Sequence, residues 1–316
     1  MIKVSAILPN YNHAQYLPKR IESILNQTFQ DFELIILDDC STDNSRELLE
    51  VYRNHPKVSN LVFNEKNSGN PFYQWYKGIK LSKGKYIWIA ESDDWAEPDF
   101  LENLVPVMEQ NPSVGLAYSN SIIEINDVVT DDFATVKNKR YQTLHWAEPY
   151  LISGADEIRQ FLLRDCTVNN ASAVLMRREL LLDIFPIHEL FRFSGDWYCY
   201  LRIAAVADVY YTNKSLNHYR EHKSNTSKSA GYNYIKEVFY IYDWILKNDV
   251  VKREQAKVTF SLYISDLYSG DNKWHIDKGF KKLSKINGFL YRVFLQKTIK
   301  MSIRRFANNL FKSHFF

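Results

Sequence analysis

Glycine-rich phosphate loops are missing from this sequence. Its 316 residues include only 10 glycines, and they form neither Gly-x-Gly-x-x-Gly nor a Walker A motif. A dinucleotide-binding turn and a P-loop are thereby excluded. Cysteine is equally scarce. Cys40, Cys166 and Cys199 lie far apart with no Cys-x-x-Cys pair, which argues against zinc ribbons and disulfide scaffolds and fits a reducing cytoplasm. No apolar run approaches the ~18–20 residues needed to cross a bilayer, and the first residues enter a strand without the basic and apolar segments of a secretory signal. The net charge of +3 is small, and no nucleic-acid partner is expected. Its distribution is uneven: residues 273–316 carry 11 Lys or Arg against Asp277 alone, a local +10 that leaves −7 for the rest.

What is present has the make-up of a soluble globular chain, 46% hydrophobic and 24% charged, with an aromatic surplus of 21 Tyr and 19 Phe. The length suits one large α/β domain with an appendage, or two modest domains. The run Tyr86-Ile-Trp-Ile-Ala90 reads as a buried strand. It leads through Glu91-Ser92 into adjacent carboxylates, Asp93 and Asp94, and Pro98 then opens a helix with Asp99 and Glu102 in its first turn. An earlier strand, Phe32 to Leu37, likewise ends on Asp38-Asp39. Lys3–Leu8 is a strand stopped by Pro9, followed by a loop containing Tyr11, Asn12 and His13 and by a helix with Leu17, Ile21, Ile24 and Leu25 on one face. Val58–Phe63 is a third strand, and a helix spans about Pro71 to Leu81. Strands alternating with helices at these spacings predict a mostly parallel sheet. Both acid pairs then fall on its carboxyl rim, where open α/β sheets bind ligands. Adjacent acids repel unless a cation or hydroxyl donors lie between them. The alternative is an ordinary acidic turn before a helix.

Further on, Val114–Tyr118 reads as a strand, Glu124 to Pro149 as a surface loop or hairpin, and Ala171–Arg177 and Val209–Tyr211 as strands. Asp196 follows Gly195 at the start of a helix, a position that suits a cap as well as a catalytic carboxylate. Tyr11 offers either a face for a base to stack on or a structural lid on the first strand. His222, in the polar run Asn217 to Asn225, is either solvated or a metal ligand.

Four blocks carry a family resemblance: Val4 to Asn12, Ser23 to Phe29, Asp38 to Asp43, and Glu91 to Trp95. In this order and spacing, over roughly the first 225 residues, the chain resembles the inverting GT-A glycosyltransferases of family two. Beyond that point the residues follow a helical pattern, which gives a helical C-terminal extension over 226–316. The resemblance implies a GT-A domain over residues 1–225, an α/β fold with a mostly parallel sheet flanked by helices. It implies a nucleotide-diphosphate-sugar donor, a hydroxyl of a glycan or lipid-linked acceptor, and a Mg²⁺ or Mn²⁺ cofactor. Carried onto matching positions, Pro9, Tyr11, Asn12 and Asp39 would hold the nucleotide, and Asp93 the ribose or sugar. Asp94 would bind the metal with His222 as an added ligand, Arg220 would reach the diphosphate, and Asp196 would deprotonate the acceptor. The chain departs from the family at Gln74-Trp75-Tyr76-Lys77-Gly78, where many members have Ala-Arg-Asn-x-Gly, leaving Lys77 as a substitute donor contact. That departure is the one feature favouring a non-catalytic nucleotide-sugar-binding protein. A sugar nucleotidyltransferase would need a glycine- and arginine-rich first loop, absent at Pro9 to His13.

Near the end, Leu295, Ile299, Ile303, Phe306 and Leu310 share one helical face, opposite Lys297, Lys300, Arg304 and Lys312. The pattern fits peripheral contact with an anionic membrane at its cytoplasmic side, and fits equally a helix packed on the rest of the protein.

Overall fold

The computed structural model describes residues 2–168, 170–222, 231–269 and 278–313. The chain divides into two compact units, Met1–Ile158 with Thr167–Asn225, and Arg159–Cys166 with Thr226–Phe316.

The first unit is built on ten strands: β1 (Val4–Asn10), β2 (Phe32–Asp38), β3 (Val58–Phe63), β4 (Tyr86–Ile89), β5 (Trp95–Ala96), β6 (Val114–Ile125), β7 (Val128–Asp132), β8 (Tyr150–Ile152), β9 (Val174–Arg177) and β10 (Asp208–Glu221). Their order is β3-β2-β1-β4-β9-β6-β10-β5, with β7 on β6 and β8 on β10. The run β3-β2-β1-β4 is parallel, β9 is antiparallel to both β4 and β6, and β6 and β10 are parallel to each other. The strands β3, β2, β1, β4, β6 and β10 therefore point one way, and their carboxyl ends form a single rim.

Helices cover both faces because side chains alternate along each strand. Val4, Ala6 and Leu8 of β1 join a buried cluster with Leu17, Ile21 and Ile24 of α1 (Leu17–Leu25), Leu49 of α2 (Ser45–Glu50), and Phe100, Leu104 and Met108 of α4 (Phe100–Gln110). Each of the larger side chains among them contributes ~1.5–3 kcal/mol when fully buried. The opposite face meets α3 (Pro71–Leu81) so closely that a Cβ on Gly78 would lie 2.4 Å from Cγ2 of Ile7. Only glycine allows that approach. The unit also contains α5 (Phe133–Tyr141), α6 (Gly154–Glu157), α7 (Arg178–Ile184) and α8 (Gly195–Ala204).

Several boundaries differ from the sequence reading. Pro9 does not stop β1, which runs to Asn10. The peptide edges of Ile7 and Pro9 face β4, and that pairing ends at Ile7 opposite Ile89, so the ladder does not use the N–H that proline lacks. The helix after the acid pair starts at Phe100, with Asp99 in the capping position and only Glu102 in its first turn. Strand β6 continues to Ile125 and forms with β7 a hairpin, one of the two readings for residues 124–149, and α5 occupies part of the remainder. Strand β10 absorbs Asn217 to Glu221, the first part of the stretch read above as a polar run. Its register shifts between Thr212 and Asn217 let so long a strand follow β6.

The second unit contains α9 (Gly231–Lys247), α10 (Arg253–Ser269), a 3-10 segment (Lys278–Lys285) and α11 (Gly288–Ser313). Phe239, Tyr242, Phe260, Phe280, Leu283, Leu290 and Phe294 are buried. The Tyr242 hydroxyl donates to the Leu163 carbonyl at 2.6 Å, and Arg164 pairs with Asp266 at 2.9 Å. These bonds tie residues 159–166 into this unit. Along α11, Leu290, Val293, Phe294 and Thr298 are buried, whereas Ile299 and Ile303 are 56% and 63% exposed. The side chains of Arg304, Phe306, Leu310 and Lys312, and residue Asn225, lie outside the described residues.

Candidate active site at the carboxyl rim of the sheet

The two acid pairs do different things. Asp38 is fully buried. It accepts from the Asn10 amide at 2.8 Å, from the Ser41 hydroxyl, and from Arg46 at 3.2 Å. Asp39 accepts from Asn64 (2.7 Å), the Ser68 amide and hydroxyl (3.0 and 2.7 Å) and the Gln74 side chain (2.7 Å). Its carboxylate thereby joins the end of β2 to the β3–α3 loop and to α3. Lys77 reaches this network indirectly, donating to Asn64 Oδ1 at 2.6 Å. Asn12 sits at φ 57°. Its side-chain oxygen accepts from the Thr42 amide at 2.7 Å, and its own amide donates to the Ser41 hydroxyl at 2.9 Å, fixing the β1–α1 loop against the β2–α2 loop. Tyr11 stands beside it with 44% exposure, while Pro9 is buried within the sheet.

After β4 the pattern reverses. Asp94 is nearly buried, and its carboxylate accepts from the Arg220 amide at 3.1 Å and from the Asn170 side chain. Burial first, and then the charge on Asp93, push Asp94 well above the ordinary carboxylate range. Asp93 has the opposite fate. Burial raises it, but the hydrogen bond from His222 and the nearby imidazole of His13 outweigh that and hold it below its ordinary value. His222 Nε2 lies 2.9 Å from Asp93 Oδ2. His13, from the β1–α1 loop, packs its ring 5.5 Å from that of His222 at 87° and contacts the Ser92 hydroxyl through Nδ1 at 2.8 Å. Burial, opposed by the charge of Asp93, keeps His13 below the usual imidazole range. One ligand atom from each of His13, Asp93 and His222 falls within 4.8 Å of the other two. Two imidazoles and one carboxylate form a donor set suited to a divalent ion. Of the two residues expected at a metal, His222 is in this cluster, while the Asp94 carboxylate accepts from the Arg220 amide and the Asn170 side chain.

Arg220, on β10, donates through Nη1 to the Asp93 carbonyl at 3.0 Å and lies 5.1 Å from the Tyr16 ring centre. It braces the loop carrying the acid pair. Asp196 occupies the second position of α8. The capping position belongs to Ser194, and Asp196 Oδ1 accepts from the Trp197 amide at 2.8 Å. A Cβ on Gly195 would lie 2.7 Å from the Phe72 ring, so the start of α8 is pressed against α3.

Residues 5–185 match the sequence profile of Glycosyl transferase family 2. An uncharacterised glycosyltransferase of a Nostoc strain is 30% identical over 232 residues, covering 72% of this chain and 68% of that one. The chain belongs to glycosyl transferase family 2. The poly(ribitol-phosphate) β-N-acetylglucosaminyltransferase TarP of Staphylococcus aureus is 39% identical over 115 residues, 36% of this chain and 35% of TarP, so the match spans about a third of that protein. The crystal structure of residues 1–349 of S. aureus TarS with UDP-GlcNAc superimposes with a TM-score of 0.69 at 18% identity, over 92% of this chain and 81% of that one. At that identity the likeness shows a common GT-A fold, an α/β architecture with a mostly parallel sheet.

Within this family-2 chain, some site residues escaped the sequence reading. His13 was visible next to Asn12 at the end of a strand, but nothing in the sequence paired it with residue 222. Arg20 is fully buried on α1, with its guanidinium 5.0 Å from the Trp88 ring centre and none of its three nitrogens hydrogen-bonded among the described residues. Burial lowers it to about 10, opposed most by the charge of Asp94. A charged residue on the apolar face of an amphipathic helix was its signal. The departure at Gln74 and Trp75 also has a physical account. Gln74 donates to Asp39, and Trp75 Nε1 donates to Glu91 at 2.8 Å, so both side chains support acids at the rim.

Proposed function

We propose that the chain is an inverting, metal-dependent glycosyltransferase that uses a nucleotide-diphosphate sugar, a UDP-sugar in first preference, in cell-surface polysaccharide synthesis. The observation that carries this reading is the meeting of Asp93 and His222 at the carboxyl rim, in a chain whose relatives include a poly(ribitol-phosphate) N-acetylglucosaminyltransferase. Asp93 and His222 hold a Mg²⁺ or Mn²⁺ ion, which when bound offsets charge on the donor diphosphate. This moves the proposed ligand from Asp94 to Asp93, because the Asp94 carboxylate is already engaged by Asn170 and Arg220. Tyr11 stacks on the base, while Pro9, Asn12 and Asp39 shape its pocket. Lys77 contributes through Asn64. Arg220 fixes the loop beneath the diphosphate. Asp196 takes the proton of the acceptor hydroxyl as that oxygen attacks the anomeric carbon, and the bond to the diphosphate oxygen breaks in the same displacement.

The acceptor is a glycan or lipid-linked hydroxyl compound at the cytoplasmic face of a membrane. Among the described residues no helix is long and apolar enough to cross a bilayer. Association through the exposed Ile299–Ile303 face of α11 and its lysines would bring the enzyme to such an acceptor.

The non-catalytic alternative rested on Gln74 to Gly78, and the support those side chains give to Asp39 and Glu91 weakens it. A panel of nucleotide sugars, with and without Mn²⁺, tests the proposal through melting temperature and release of nucleotide diphosphate. A ligand at 100 times its Kd adds ~2.7 kcal/mol of apparent stability. Stabilisation without nucleotide release, with every acceptor preparation tried, would favour the binding protein. No stabilisation by any donor would overturn both.

A further inference from the structure

We infer that His13 is a third protein ligand of the ion held by Asp93 and His222, and that it biases the seat toward nitrogen-accepting first-row ions over Mg²⁺. The inference rests on the cation reading above and adds to it the role of one side chain from the first loop.

Three separate segments converge here: the β1–α1 loop, the turn after β4 and the end of β10. Their ligand atoms lie within 4.8 Å of one another. Atoms bound ~2.1 Å from one ion sit ~3–4.2 Å apart, so small side-chain rotations close the set. The orientation of His13 already suits the task. Its Nδ1 is engaged by the hydroxyl of Ser92 at 2.8 Å, which leaves Nε2 as the nitrogen free to bind. Metal-binding histidines are aimed in this way by a partner on the other ring nitrogen, and here that partner directly precedes Asp93. Tyr16 packs against both imidazoles, with ring centres 5.8 Å from His13 and 5.4 Å from His222, and limits their freedom to swing apart.

The chemistry of the donor set then sets the preference. Mg²⁺ favours oxygen ligands and gives up water reluctantly. Two imidazoles with one carboxylate favour ions in the rising order Mn²⁺ then Co²⁺. A rim with Asp93 and His222 alone would discriminate less.

The competing account is that His13 only ties its loop to Ser92. Asparagine separates the two accounts, because its amide superimposes on the Nδ1 edge of histidine and keeps the Ser92 contact while removing Nε2. Titrations of Mg²⁺, Mn²⁺ and Co²⁺, alone and with UDP, are compared between the native chain and His13→Asn, with melting temperature as the check on folding. The expected native order is Mg²⁺ weakest and Co²⁺ tightest. His13→Asn should weaken Co²⁺ and Mn²⁺ by ~10–100-fold, as loss of metal-site partners typically does, and change Mg²⁺ least. Unchanged Mn²⁺ and Co²⁺ binding by a folded variant overturns the role of His13 and leaves the Asp93–His222 reading standing. If the variant fails to fold, the native chain alone decides. Electron spin-echo modulation of bound Mn²⁺ should show two imidazole nitrogens, and a single one overturns the inference. A native chain that binds none of the three ions, with or without UDP, overturns both readings.

Discussion

His222 Nε2 lies 2.9 Å from Asp93 Oδ2, across 129 positions of sequence, while the neighbouring Asp94 carboxylate faces Asn170 and the Arg220 amide. The two neighbouring carboxylates thus have separate partners, and Asp93 keeps 20% of its side chain exposed while Asp94 is 2% exposed. The two asparagine variants should therefore fail differently. Asp93→Asn should lower Mn²⁺ affinity at least ~100-fold with little change in melting temperature, since the asparagine Oδ1 can still accept from His222 Nε2. Asp94→Asn should lose ~1–3 kcal/mol of stability, because its NH₂ would face a buried hydrogen-bond donor, and should keep Mn²⁺ affinity within about tenfold. Calorimetric Mn²⁺ titration and thermal melting separate the cases. The reverse pattern would return the ligand role to Asp94.

Asp196 gives a test of chemistry against architecture. Ser194, rather than Asp196, holds the capping position of α8, and the bond from the Trp197 amide to Asp196 Oδ1 survives in asparagine. Asp196→Asn should leave melting temperature and UDP affinity near native. Transfer should fall by ~10²–10⁴-fold, the usual contribution of a positioned general base. Near-normal transfer would place the base elsewhere.

A pH dependence follows from Glu109 on α4. It accepts from Lys3 and Lys85, each at 2.6 Å, and from the Tyr86 hydroxyl at 2.5 Å. The hydrogen bond from Lys3, then those from Lys85 and Tyr86, lower it from 4.5 to about 2. An acid depressed in the folded state stabilises above its unfolded value and loses that contribution as pH falls through the folded one. The Glu109 network should thus be at full strength above pH ~4.5 and be lost toward pH ~2. Its side chain is 31% exposed, so solvent screening limits the effect to ~1 kcal/mol. Glu109→Gln should melt lower than native at pH 7 and converge with it as pH falls through ~2. A gap that persists in acid would mean packing, and not charge, is responsible.

Much of the first unit was legible because local signals agreed with the final structure. Short, nearly continuous apolar runs in β1, β2 and β4, and the helical spacing of Leu17, Ile21 and Ile24, placed the parallel strands and the acids at their ends. The site was less legible for a physical reason. Which of Asp93 and Asp94 faces the rim depends on the turn after Ile89 and on the amide of Arg220, more than a hundred residues away. The length of β10 was hidden likewise, because Asn217, His218 and Arg220 are polar yet buried by partners on other strands. His218, for one, lies between Glu97 at 2.9 Å and Glu124 at 3.0 Å. Such pairings leave no periodic trace. Residues 159–166 joined the second unit through Tyr242 and Asp266, which are equally remote in sequence.

The last helix carries the prediction about location. One face of α11 is committed to its own unit through Leu290, Val293 and Phe294, which leaves Ile299 and Ile303 in solvent beside Lys300. The helix therefore packs and also presents an apolar strip flanked by positive charge. Each Lys or Arg near an anionic surface contributes ~1 kcal/mol, and burying an isoleucine adds up to ~1.5–3 kcal/mol. Native protein should sediment with phosphatidylglycerol vesicles and much less with phosphatidylcholine vesicles. Combining Ile299→Glu with Ile303→Glu should weaken sedimentation at least tenfold without lowering the melting temperature, because neither side chain belongs to the core. Truncation would be a poorer test, since it would also remove the packed face. Equal sedimentation of native and variant, or none by either, would leave α11 a purely structural helix.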